Sequence, residues 1–276
     1  ASVERILRQK YRLGLFDDAY AFLDEAREQQ TVKSAELMAL AREAATKSMV
    51  LLKNKDALLP LSKNIKRIAV VGPLADNRAE VLGSWKARGE DVDVITVVQG
   101  LRNKLGTATE VVYVRGCDFL DTKTNEFAQA RQAAANADVV IAVVGEKALM
   151  SGESRSRAFL SLPGLQQQLI DTLKTAGKPL VTVLMNGRPL ALGHVNEQTD
   201  ALLEAWFPGT QCGNAVADVL FGDVNPSGKL TVSFPYAEGQ LPNHYNYRRS
   251  GRPGDMEQTS TVRHIVLKNK NLFAFG

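Results

Sequence analysis

Apolar residues near the start of the chain recur at helical spacing. Val3, Ile6, Leu7 and Tyr11 form one stripe, which stops at Leu13-Gly14-Leu15-Phe16-Asp17. Leu37, Leu40, Ala41, Ala44, Ala45 and Ser48 form a second. Neighbours three and four apart share a helix face, so this spacing predicts helical structure from Ser2 to Asn54, with apolar faces and no strand partner of its own. Asp56 to Leu61 reads as a turn-like connection ending in Leu59-Pro60-Leu61.

From Arg67 the pattern changes to short apolar runs alternating with helical stretches. Strands are predicted over Ile68–Val71, Glu110–Val114, Val139–Val144, Leu180–Leu184 and Ala201–Ala205. Helices are predicted over Val97–Leu105, Asn125–Asn136, Leu165–Ala176 and Asn214–Leu220. Continuous β-branched runs separated by helices imply an α/β fold with a mostly parallel sheet covered on both faces. Asp223 to Gly228 is a strong turn, and Lys229–Phe234 reads as an edge strand before Pro235. Beyond Tyr236 the chain is polar and turn-rich until Asn271 to Gly276.

Composition narrows the class. The chain has 276 residues, room for one large domain or two ordinary ones. Net charge is +4, but basic and acidic residues are interspersed, which gives no support to nucleic-acid or membrane-surface binding. No apolar run is long enough for a membrane span, and no signal peptide opens the chain. It starts at Ala1 and not Met, which predicts a processed or excised piece. Cys117 and Cys212 match no metal-ligand spacing and are expected to be buried free thiols.

Candidate chemistry gathers after the Val139–Val144 run. That run gives way at Gly145 to a polar loop with Glu153, Arg155 and Arg157, and Leu162-Pro163-Gly164 leads into the next helix. Open α/β sheets place their chemistry outside the carboxyl ends of the strands, so Glu153 is the candidate proton donor and acceptor. A solvated glutamate is the plain alternative. Glu146 competes, although its nearness to the strand leaves it less reach. Arg157 either meets a ligand or forms a structural ion pair. Trp85, in Leu82-Gly83-Ser84-Trp85, offers a face that can stack a sugar ring or pack at the rim. Gly72-Pro73 ends a strand but lacks a phosphate-cradle pattern, and proline removes a donor where a cradle needs one. His194, His244 and His264 are too scattered for a metal site, and neither a metal nor a cofactor is expected.

Several stretches resemble a known family. They are Ser48-Met49-Val50-Leu51-Leu52-Lys53-Asn54, Leu59-Pro60-Leu61, Ala69-Val70-Val71-Gly72-Pro73, Lys178 to Leu184, and Asn186-Gly187-Arg188-Pro189. Ala205-Trp206-Phe207-Pro208-Gly209-Thr210, Val219 to Asp223, Asn225 to Leu230 and Phe234-Pro235 complete the set. Together they resemble the second domain of glycoside hydrolase family 3, of the periplasmic β-glucosidase type. The resemblance implies a three-layer α/β/α sandwich beside a (β/α)8 barrel that supplies an aspartate nucleophile. Glu153 falls where the family carries its acid/base glutamate. It further implies residues 1–60 as a helical linker from the barrel, 61–236 as the sandwich, and 237–276 as a tail toward a fibronectin-like domain. Nothing here corresponds to the barrel's nucleophile motif. Ser156 stands where relatives often have an acidic residue, and Gln211-Cys212 where they commonly read Glu-Gly. The implied partners are a β-glucoside or oligosaccharide substrate and the barrel of the same enzyme, in the periplasm or secreted. A β-xylosidase preference, or a non-catalytic carbohydrate-binding or scaffold role, is the alternative.

Overall fold

A computed structural model of the protein describes residues 1–246 and 271–276. His264 and much of the predicted tail fall outside the described residues. Two compact units are present, Ala1–Leu40 and Ala41–Gly276.

In the first unit α1 (Ser2–Arg12) carries the first stripe and α2 (Glu25–Thr31) follows. α2 has no apolar stripe to announce it. It is set by its cap, because the Asp24 carboxylate accepts from the Arg27 N–H at 2.9 Å and satisfies a donor that the first turn leaves unpaired. α3 (Ala35–Ser48) begins in this unit and ends in the second. No residue of α1 or α2 is buried, and Val3, Ile6, Leu7 and Tyr11 are exposed.

The second unit is built on one six-stranded sheet. Its strands are β1 (Val50–Asn54), β2 (Arg67–Val71), β3 (Glu110–Val114), β4 (Val139–Gly145), β5 (Leu180–Met185) and β6 (Ala201–Glu204), in spatial order β1-β6-β5-β4-β2-β3. All neighbours are parallel except β1, which runs antiparallel to β6. Helices α4 (Val97–Leu105), α5 (Phe127–Ala135), α6 (Gln166–Lys174), α7 (Gly193–Gln198) and α8 (Cys212–Leu220) connect or follow the strands.

The pleat sends alternate strand residues to opposite faces. Ile68, Val70, Ile141, Val143, Val181 and Val183 pack with α4 and α8 residues such as Leu101 and Val216. Ala69, Val71, Val140, Val144 and Leu184 pack with α5 and α6 residues such as Ala130 and Leu169. Every residue of β4, β5 and β6 is buried, which only a sheet covered on both sides allows. The α/β/α sandwich follows. Cys117 and Cys212 are both buried and free, and burial pushes each thiol up to about 12.

Two predicted elements are corrected. The segment read as helical through Asn54 ends in strand β1, because Val50-Leu51-Leu52 is a short apolar run whose period cannot distinguish helix from strand, and the open edge of β6 decides it. Lys229–Phe234 is not an edge strand. Among the described residues its only ladder contact is one bridge from Phe234 to Phe273, while Leu230 and Phe234 turn into the core and β1 already covers β6.

Candidate active site

From β2 the chain goes outward through α4 to β3, then returns past β2 to β4 on its other side. The winding reverses between β2 and β4, so the loops leaving their carboxyl ends diverge. That switch point is where open α/β sheets form ligand crevices. The loop after β2 carries Trp85, and the loop after β4 carries Glu153 and Arg157.

The structure brings two of the three predicted residues together at the surface. Glu153 is exposed and, among the described residues, its carboxylate has no hydrogen-bond or ion-pair partner. Trp85 is 72% exposed. Gly152 lets the two loops meet. A Cβ at that position would lie 2.5 Å from Ser84 Oγ and 3.5 Å from Trp85 Nε1, and Gly152 has φ +108°, a conformation that L side chains rarely adopt. The backbone next to the carboxylate therefore approaches the indole edge.

Arg157 turns inward instead. Its Nη1 donates to Glu146 Oε1 at 2.7 Å and its Nη2 to the Ser161 carbonyl at 2.9 Å. Of the two readings left open for it, the ion pair is the one the side chain adopts. Glu146, the competing carboxylate, is 0% exposed and engaged on both oxygens. Besides Arg157, its Oε1 lies 3.2 Å from Arg188 Nε, an ion pair without hydrogen-bond alignment, and its Oε2 accepts from the Gly187 N–H at 3.3 Å. A carboxylate so held is poorly placed to reach a ligand.

Three residues were missed in the sequence. Arg188, after β5, donates from Nη2 to the carbonyls of Met150 and Arg155, at 2.8 Å for the latter. Asn186 donates from Nδ2 to the Arg188 carbonyl at 2.8 Å and to Glu204 Oε2 at 3.2 Å. Glu204, the last residue of β6, accepts the Trp206 N–H on Oε1 at 2.9 Å. That bond supports Trp206 at φ +57°, a conformation rare for a bulky residue. Burial is the main influence on Glu204, with the Glu146 charge adding to it; the Trp206 and Asn186 donors oppose both, and its carboxyl is pushed up to about 8. One available signal was position. Asn186 and Glu204 are the first polar side chains at the carboxyl ends of two buried strands, and such groups must find buried partners.

The edge therefore holds one free carboxylate on a loop braced from below, beside an exposed indole. A carboxyl of this kind can give a proton to a leaving oxygen and take one from water, while the indole offers a face to the C–H side of a sugar.

Comparison with known proteins agrees with this architecture. Residues 49–276 match the model of the glycosyl hydrolase family 3 C-terminal domain. The periplasmic β-glucosidase of Salmonella typhimurium is 44% identical over all of this chain, which covers 39% of that protein. A β-xylosidase of Formosa agariphila is 41% identical over 88% of the chain and 34% of its own length. The crystal structure of a Listeria innocua β-glucosidase in complex with isofagomine superposes with a TM-score of 0.88 at 41% identity, over 98% of this chain and 37% of that one. The chain thus spans less than half the length of these relatives. With the order of elements, the sheet and most of the residues matched, the chain belongs to glycosyl hydrolase family 3, and residues 49–276 are its C-terminal domain.

Proposed function

We propose that this chain supplies the general acid/base, Glu153, to a retaining, exo-acting β-glucosidase whose nucleophile lies on another domain. The observation that carries the reading is the state of Glu153: exposed and unengaged at the switch point of the sheet, while its rival Glu146 is buried between arginines. Relatives named β-glucosidases support the sugar. Their greater length supports a second domain, which the family resemblance makes a (β/α)8 barrel. On this reading residues 1–60 link the barrel to the sandwich of residues 61–236, and residues 237–276 lead toward a fibronectin-like domain.

Glu153 protonates the departing glycosidic oxygen while an aspartate from the barrel attacks the anomeric carbon. It then deprotonates the water that releases the sugar with retained configuration. Trp85 provides a stacking platform, and Arg157 bears on the substrate through the loop it steadies. The name of the Salmonella relative supports a periplasmic or secreted location; among the described residues, no helix is long and apolar enough to cross a membrane. The β-xylosidase relative favours a second reading in which the sugar is a xylose. A panel of aryl glycosides separates the two.

The test uses the complete enzyme. Glu153→Ala should lower kcat/KM for cellobiose by about 10²–10⁴-fold, the usual worth of general acid–base help. Dinitrophenyl glucoside, whose leaving group needs little protonation, should lose far less in the glycosylation step. Azide should rescue its turnover and yield β-glucosyl azide. Normal cellobiose hydrolysis by Glu153→Ala, with a failure of Glu146→Ala, would move the assignment to the other end of the loop.

A further inference from the structure

Arg188 sits on the loop after β5, outside the segment that carries Glu153, yet it grips that segment on both sides. Its Nη2 donates to the Met150 carbonyl, three residues before Glu153, and to the Arg155 carbonyl, two residues after it, at 2.8 Å. The opposite side of the guanidinium is fixed: Nε lies 3.2 Å from Glu146 Oε1, and Glu146 is rooted at the end of β4. The same carboxylate oxygen receives Arg157 Nη1 at 2.7 Å, and Arg157 Nη2 holds the Ser161 carbonyl further along the loop. The base of Arg188 is fixed as well, because Asn186 donates to its carbonyl and to the buried Glu204.

We propose that Arg188 is the positioning residue for Glu153, working as a clasp anchored on Glu146. The inference rests on the acid/base reading of Glu153 given above and adds to it the group that sets the geometry of the proton transfer. The reasoning is one of supply and demand for hydrogen bonds. The loop from 146 to 165 has little to hold its own backbone: one short helical turn, Ala148–Met150, and a single turn bond from the Arg155 N–H to the Gly152 carbonyl at 3.3 Å. Three of its carbonyls, at 150, 155 and 161, are met by guanidinium groups converging on one buried carboxylate. Guanidinium offers several donors in a fixed plane, so it can hold two carbonyls and a carboxylate at once. An ammonium on a flexible stem cannot reproduce that geometry. Glu153 itself makes no bond within the loop that would hold it, so its carboxyl goes where the backbone at 150–155 puts it.

The readout is leaving-group dependence in the complete enzyme. Moving a proton donor by about 1 Å costs on the order of 10²-fold where proton transfer matters, and little where it does not. Arg188→Lys and Arg188→Ala should lower kcat/KM for cellobiose by roughly 10–100-fold while dinitrophenyl glucoside changes by only a few-fold. The ratio of the two specificity constants is independent of how much of the variant is folded, so partial loss of protein does not blur it. Arg188→Lys keeps a cation beside Glu146 and guards against wholesale collapse of the buried charge. Equal losses on both substrates would overturn the proposal, because they mean a general structural or binding defect. Glu153→Ala run beside them separates the levels. If it shows steep leaving-group dependence and the Arg188 variants show none, Glu153 keeps its role and the clasp fails. If it shows none, the acid/base reading fails and the clasp with it.

Discussion

Glu204 shows how much a single position can set. Its carboxyl lies at the end of a fully buried strand, pushed up to about 8 chiefly by burial. A carboxyl whose folded value is raised favours its protonated form in the fold. Its contribution is therefore fully present below the ordinary carboxylate range near 4.5 and is lost as pH rises through about 8. Across that window the protein should lose stability with a slope of up to about 1.4 kcal/mol per pH unit from this residue. Glu204→Gln keeps an oxygen for the Trp206 N–H and removes the titration. The difference in unfolding free energy between wild type and variant should shift steadily from pH 5 to 8. A difference that stays constant over that range would mean the carboxyl ionises as an ordinary one does. On the loop after β4, Gly152 carries the opposite kind of constraint, one of space and not of charge. Gly152→Ala brings a methyl to 2.5 Å from Ser84 Oγ at φ +108°. The backbone conformation alone should cost about 1 kcal/mol, and the displaced loop should reduce kcat/KM for cellobiose far more than it lowers the melting temperature. Adding Ser84→Gly should recover the part due to the clash and leave the part due to backbone strain.

At the scale of elements, the parallel strands were legible because burial on both faces leaves them continuous β-branched runs. Val139-Val140-Ile141-Ala142-Val143-Val144 could hardly be read otherwise, and it is β4. The glutamate loop was legible for a related reason, since polar residues must follow where such a run stops at the carboxyl edge. β1 was not, because Leu51-Leu52-Lys53 has half-buried side chains and its partner lies far along the chain. α2, polar apart from Ala26, depends on the Asp24 cap and not on any periodic stripe. The clasp was hidden for a different reason. Arg188 and Glu146 sit in separate loops, and nothing local in either segment says that one guanidinium will meet carbonyls over thirty residues away. Sequence spacing reveals a face or a turn, whereas a convergence of loops requires the sheet order.

For the whole molecule, β1 has the most to say about where the fold can be cut. It covers the β6 edge in antiparallel register, Val50 against Glu204 and Asn54 against Ala201, with an irregularity between Leu51 and Lys53. Gly228 and Lys55 add backbone bonds on either side, to Met49 and Asp200. A version of the protein starting at Lys55 would bare the backbone of β6, a ready template for pairing with another copy. It should elute from a sizing column as oligomers, whereas one starting at Ala41 should not; equal monomers would show that β6 needs no cover. The same strand also fixes an order of events during synthesis. Of the strands in this sheet β1 is made first, yet its partner β6 is made roughly 150 residues later, a wait of about 8–30 s at ordinary elongation rates. For that interval Val50, Leu51 and Leu52 travel without a ladder. The sheet is closed at this edge by its earliest strand and completed by its latest.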